Sequence, residues 1–299
     1  MSPPQIFDRS MLRQRRRRAR ALGPATFLID RVAGDLADRL AAVLRPFGLA
    51  ADLASPTDAV RHALAARVGT MVAVDASEQN LADHDGPKVV ADEEALPFAE
   101  ASLDLVVSGL ALQSVNDLPG TLLQVRRALK PDGLFLAALL GGETLTELRQ
   151  SFAAAEVETE GGLSPRVAPF GDMREMGALL GRAGFALPVA DVDRITVRYA
   201  SPFGLMHDLR RMGATNALSD RRRRPLRRAT LMRMAEIYAA RFSDADGRIR
   251  ASFDIVWLSG WAPDPSQQQP HKPGSAKARL ADALNAEEIS AGEKPLRGE

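Results

Sequence analysis

Apolar residues recur along this chain in two rhythms. Phe27, Leu28, Val32, Leu36, Leu40 and Leu44 follow at three- and four-residue steps in an Ala-, Arg- and Leu-rich stretch, which predicts one helix over 8–45 stopped by Pro46 and Gly48. Beyond it, short apolar runs alternate with longer amphipathic segments. The runs predict strands at 49–53, 71–74, 89–90, 103–107 and 134–140. The segments between predict helices at 57–66 and 119–129, the second ending at the turn signal Lys130-Pro131-Asp132-Gly133. Strands alternating with helices form βαβ units, hence a mostly parallel α/β sheet covered on both faces. After Gly141-Gly142 the rhythm changes. Helices are predicted at 145–157 and 172–183, the latter closed by Gly184, with a Gly/Pro-rich loop between them. Two more strands, 187–199 and 250–257, flank a helical insertion.

This pattern divides the chain into an N-terminal helical segment, 1–45, a main domain, 46–262, and a tail. The main domain carries lid-like insertions at about 143–170 and 201–247. From 263 to 299 the Gln, Pro, Lys and Ser content predicts disorder. The 299 residues contain 39 Lys+Arg and 38 Asp+Glu, a net charge of +1, which excludes a uniformly basic nucleic-acid coat. Cysteine is absent, so disulfides, thiolate nucleophiles and Cys-ligated zinc are excluded. The four histidines lack ligand-like spacing, and no metal site is expected. No apolar run approaches the roughly 20 residues of a membrane span, and the N-terminus lacks the apolar core of a signal peptide. The default expectation is a cytoplasmic protein.

Charge is unevenly distributed. Of the basic residues 34 are Arg, crowded at Arg13, Arg15 to Arg18 and Arg20, and again at Arg221 to Arg224, Arg227 and Arg228. Such runs usually form solvated faces. With aromatics at 5%, base stacking has little support, so contact with a protein or acidic surface is favoured over nucleic acid.

Ligands of open parallel sheets bind at the carboxyl ends of the strands. There the second strand closes with Asp75, followed by Ala76; its carboxylate could accept both hydroxyls of a ribose or cap a helix. After the third strand, Asp92 could accept an adenine amino group, with Leu96 and Phe98 as an apolar wall, or belong to a solvated acidic turn. Ser108 and Gln113 follow the fourth strand and face the same crevice.

Asp75, the run Asp92-Glu93-Glu94-Ala95-Leu96-Pro97-Phe98, Leu103 to Ser108 and Leu129 to Gly133 occur in the order and spacing of class I S-adenosylmethionine-dependent methyltransferases, which the chain resembles. Ile6-Phe7-Asp8-Arg9, Val115-Asn116-Asp117-Leu118-Pro119, Gly141-Gly142-Glu143-Thr144-Leu145 and Gly181 to Phe185 narrow the resemblance to the complex I assembly factor 5 family, close to the malonyl-carrier methyltransferases of biotin synthesis. The resemblance implies a Rossmann-like, seven-stranded, mostly parallel sheet and S-adenosylmethionine as cofactor. The implied contacts are Asp52, Ala54, Asp75 and Ala76, together with Asp92, Glu93, Ser108 and Gln113. The implied role is modification or assembly of a respiratory complex I subunit, with arginine hydroxylation attributed to mitochondrial members.

Two departures bear on that cofactor. The family's glycine-rich turn after the first strand is replaced by Ala54-Ser55-Pro56-Thr57-Asp58, whose side chains are expected to crowd the ligand. The same residues retain a helix start, with Ser55 as N-cap, Pro56 next and Asp58 in the first turn. Gln113-Ser114 stands where the family resemblance leads one to expect an aromatic second residue. The cofactor is therefore expected to bind weakly or not at all. An active transferase and a non-catalytic assembly factor both fit the motifs, with nucleic-acid binding a minor third reading.

Overall fold

Strand β1 (Phe47–Leu53) is buried from Ala50 to Leu53 and pairs in parallel with a strand on either side. The computed structural model describes residues 5–82, 84–268, 275 and 280–287. Chain order runs through helices α1 (Arg9–Ala21) and α2 (Phe27–Ala41), strand β1, helix α3 (Ala59–Leu64) and strands β2 (Val68–Asp75), β3 (Lys88–Val90) and β4 (Leu103–Gly109). Helix α4 (Leu118–Ala128), strand β5 (Leu129–Gly141) and helices α5 (Thr146–Glu160) and α6 (Met173–Arg182) follow. Strand β6 (Ala186–Tyr199), helices α7 (Pro202–Arg211) and α8 (Arg228–Phe242) and strand β7 (Ile249–Trp261) complete the main body.

The seven strands form one sheet in the order β3-β2-β1-β4-β5-β7-β6. Strands β1 to β5 pair in parallel, while β7 runs antiparallel to both β5 and β6. This is the expected Rossmann-like, mostly parallel α/β architecture. Side chains alternate between two cores with the period of two that a strand imposes. Leu134, Leu136 and Ala138 of β5 join α2, α3, α5, α7 and α8 on one face. Phe135, Ala137 and Leu139 join α4 and α6 on the other.

Three sequence expectations are corrected. The single helix over 8–45 is two helices, because Gly23 at φ +79° and Pro24 break it. The Lys130-Pro131-Asp132-Gly133 turn is absorbed into β5 as an irregularity between the Leu103 and Leu105 pairings. Lys130 Nζ reaches Asp104 at 2.8 Å and Arg45 reaches Asp132 at 2.6 Å, so the turn's charged side chains are tied to the sheet. Helix α3 starts at Ala59 rather than 57, for a reason given below. Most of the 263–299 tail lies outside the described residues; within it Leu280–Leu284 form a short helix.

Candidate functional site

Strand order reverses between β1 and β4, and there the carboxyl ends of the parallel strands open a crevice. At the end of β1, Ala54 adopts φ +56°, the left-handed conformation that favours glycine, and its N–H donates to the Val74 carbonyl. The turn thus keeps a glycine-type backbone without the glycine. Ser55 does not cap α3. Its hydroxyl donates to Asp52 Oδ1 at 2.5 Å and accepts from the Gly109 N–H at 2.9 Å. With Ser55 committed to the sheet, Asp58 becomes the residue before α3, and its side chain makes no capping bond. The expected crowding is also revised: Ala54 and Ser55 are buried, Ala54 bonded to β2 and Ser55 to β4, and Pro56 is the residue of this turn that reaches the cavity with Thr57 and Asp58.

Asp52 is buried beneath this turn. Burial pushes its carboxyl up to about 7, against the opposing pull of the Ser55 hydroxyl and N–H. Ser108, expected to face the crevice, is fully buried and donates to the Leu53 carbonyl at 2.8 Å; it stitches β4 to β1. Leu96 and Phe98 pack against the α4/α6 core rather than forming a ligand wall.

At the end of β2, Asp75 is buried. Its Oδ1 accepts from the Ser77 N–H at 2.7 Å and from Asn80 Nδ2 at 3.1 Å. Its Oδ2 is enclosed and has no hydrogen-bond donor among the described residues. Burial raises the Asp75 pKa, opposed chiefly by the Arg16 guanidinium 3.8 Å from Oδ2. Asp92 accepts from Arg9 at 2.9 Å and from the Glu94 N–H at 3.0 Å. Burial would raise its pKa, but the Glu94 N–H and Arg9 outweigh it and the net shift is downward. Glu93, almost wholly buried, takes Arg9 and, at 3.5 Å, Arg16. Gln113 donates to the Leu110 carbonyl at 2.7 Å, while its Oε1 is buried without a donor among the described residues.

The arginines come from α1, to which the sequence reading assigned no site role. Arg9, Arg13, Arg16 and Arg20 recur at steps of four, three and four, which is one helical face. That face meets Asp75, Asp92 and Glu93, so the spacing was a readable signal. Helix α1 is held from both ends of its first turn. Asp8 accepts from the Met11 N–H at 2.9 Å and from Arg221 at 2.9 Å, and its own N–H donates to the Ala217 carbonyl. Phe7 exchanges hydrogen bonds with the Asn116 side chain.

Beside α1 lies a cavity of about 860 Å³. One end is polar, with Arg16, Asn80, Thr57 and Gln113; the other is apolar, with Leu145, Leu148 and Phe152 from α5, Met206 and Leu209 from α7, and Phe253 from β7. On the opposite side of α1, Ala76 lines a smaller groove of about 490 Å³ with Ser77, Met11 and Arg13. The structure therefore brings Asp75, Asp92 and Glu93 together under α1, places Gln113 in the large cavity and Ala76 in the groove. Asp52, Ala54 and Ser108 are buried within the sheet near the ends of β1 and β4. Arg16 and Asn80, the two cavity-lining side chains nearest Asp75, stand between that carboxylate and the polar end of the large cavity, whose far end can hold an apolar group.

A family model described as a methyltransferase domain matches residues 51–137. Over 286 residues the chain is 39% identical to "Arginine-hydroxylase NDUFAF5, mitochondrial" of Danio rerio, spanning 93% of this chain and 89% of that one. A malonyl-[acyl-carrier protein] O-methyltransferase of Gallionella capsiferriformans is 38% identical over 177 residues, 59% of this chain and 58% of the relative. Among solved structures, a putative methyltransferase from Bacillus halodurans superposes with a TM-score of 0.54 at 17% identity, covering 77% of this chain and 99% of that one, a likeness of fold. The Danio rerio relative and its mouse and human counterparts are named mitochondrial, which overturns the cytoplasmic expectation. With identity of this level sustained along nearly the whole of both chains, the chain belongs to the NDUFAF5 family.

Proposed function

We propose that this chain binds an S-adenosylmethionine-type cofactor in the crevice between β1, β2 and β4 and serves the modification or assembly of a respiratory complex I subunit. One observation carries the cofactor half of this reading: Asp75 Oδ2, buried at the end of β2, has no hydrogen-bond donor among the described residues. An enclosed acceptor without a donor costs about 1–3 kcal/mol, and a ribose hydroxyl would satisfy it. The left-handed backbone at Ala54 and the buried Gln113 Oε1, which has no donor among the described residues, fit the same ligand. The cofactor's sulfonium would supply an already activated methyl group. The protein's contribution is then chiefly position: Asp75 and Asn80 orient the nucleoside, and the apolar α5/α7 end of the cavity excludes water and aligns the acceptor. The complex I half rests on the family, whose characterised relatives carry the name arginine-hydroxylase.

Equilibrium dialysis against labelled S-adenosylmethionine tests the reading. One mole of ligand retained per mole of chain is expected. No retention at about 1 mM ligand would remove the cofactor and leave the non-catalytic assembly role.

A further inference from the structure

Asp75 and Glu93 already have a cationic neighbour. Arg16 Nη1 lies 3.8 Å from Asp75 Oδ2 and 3.5 Å from Glu93 Oε1. The first distance is that of an ion pair without a hydrogen bond, so Arg16 shields the carboxylate without satisfying it. A ribose hydroxyl donating to Oδ2 and a guanidinium beside the same oxygen compete for one small volume. We propose that Arg16 is the gate of the nucleoside end of this cleft: its side chain must swing off Asp75 before the cofactor can settle, and it thereby sets the cofactor's affinity. The inference rests on the cofactor reading above.

Three features make the side chain, rather than the helix, the moving part. Arg9 is the fixed anchor of the pair. It is shared between Asp92 at 2.9 Å, Glu93 and the Ser114 carbonyl at 3.1 Å, and these partners hold it charged despite burial. The backbone of Arg16 packs closely on Gly213, where an added Cβ would lie 3.0 Å from the Arg16 Cα, so the helix is seated at this point on a contact that only a glycine admits. Glu93 supplies the resting place. When Arg16 leaves Asp75 it keeps Glu93 as counter-ion, so the guanidinium is not stranded, while Asp75 keeps the Ser77 N–H and Asn80 and gains the ribose hydroxyl. The side chain has room to move, since Arg16 itself lines the large cavity.

Calorimetric titration with S-adenosylhomocysteine of wild type, Arg16→Gln and Arg16→Lys, each checked for folding by circular dichroism, tests the gate. Removing the guanidinium in Arg16→Gln is expected to tighten binding at least about tenfold, with Arg16→Lys in between. If Arg16→Gln does not fold, tightening by Arg16→Lys carries the same answer. Wild type and variants binding equally, or variants binding more weakly, would overturn the gate while leaving the cofactor reading intact. No binding by any of them would overturn both.

Discussion

Ala54 holds a backbone conformation, φ +56°, that costs a residue with a side chain roughly 1–2 kcal/mol. Ala54→Gly is therefore expected to raise stability by about 1 kcal/mol in thermal or urea melts, whereas the same exchange in a helix would lower it. Asp52 makes a second residue-level prediction. Its folded-state carboxyl sits at about 7 against an ordinary value of 3.8, so between those pH values the folded chain binds more protons than the unfolded one. The contribution of Asp52 to stability must then fall as pH rises from about 4 to about 7 and level off above. Asp52→Asn should flatten that slope and gain on wild type, by on the order of 1–3 kcal/mol at pH 8. Melts across pH 4–9 that keep the wild-type slope in the variant would exclude Asp52 as its source. Asp75 and Asp92 were legible from their places after strands, and Asp52 and Glu93 only through the family resemblance. What could not be read was how they are used. Whether the Ser55 hydroxyl points at a ligand or at the Gly109 N–H is decided by the neighbouring strand, more than fifty residues away.

At the scale of elements, strands were the more legible part, because apolar runs on a two-sided sheet admit few alternatives. Helix limits were less so. Composition carried the helical pattern straight through Gly23-Pro24, yet the break there lets α1 leave the body of α2 and lie across the strand ends. Its arginines read singly as a solvated face; only at 9, 13, 16 and 20, taken together on one helix, do they become a face aimed at carboxylates. The first turn of α1 depends on Asp8, which caps Met11 and joins Arg221 of the second arginine block. Asp8→Ala should cost about 1 kcal/mol near neutral pH. The Met11 N–H and then Arg221 hold the Asp8 carboxyl below its ordinary value. Its contribution is thus present above about pH 4 and lost as pH falls through the lowered folded-state value, so wild type and variant should converge in acid.

Across the whole molecule, one sheet divides two apolar cores, and this sets how damage spreads. Leu36 of α2 and Leu122 of α4 are both fully buried, on opposite faces. Leu36→Ala and Leu122→Ala should each cost about 2–5 kcal/mol, and, sharing no partner cluster, should add in the double variant to within about 0.5 kcal/mol in urea unfolding. The near-zero net charge conceals a long-range pairing: the two arginine blocks, some two hundred residues apart, meet around Asp8, where Arg15 bonds Thr215 and Arg221 bonds Asp8. The result is that helix α1 is fastened to the segment that follows α7. The account turns on Asp75 as the carboxylate that receives the nucleoside, and the direct measurement is a calorimetric titration of wild type and Asp75→Asn with S-adenosylhomocysteine. Single-site binding by wild type, weakened at least about tenfold in a variant that melts like wild type, is predicted; equal affinity in the two proteins, or none in wild type, would contradict it.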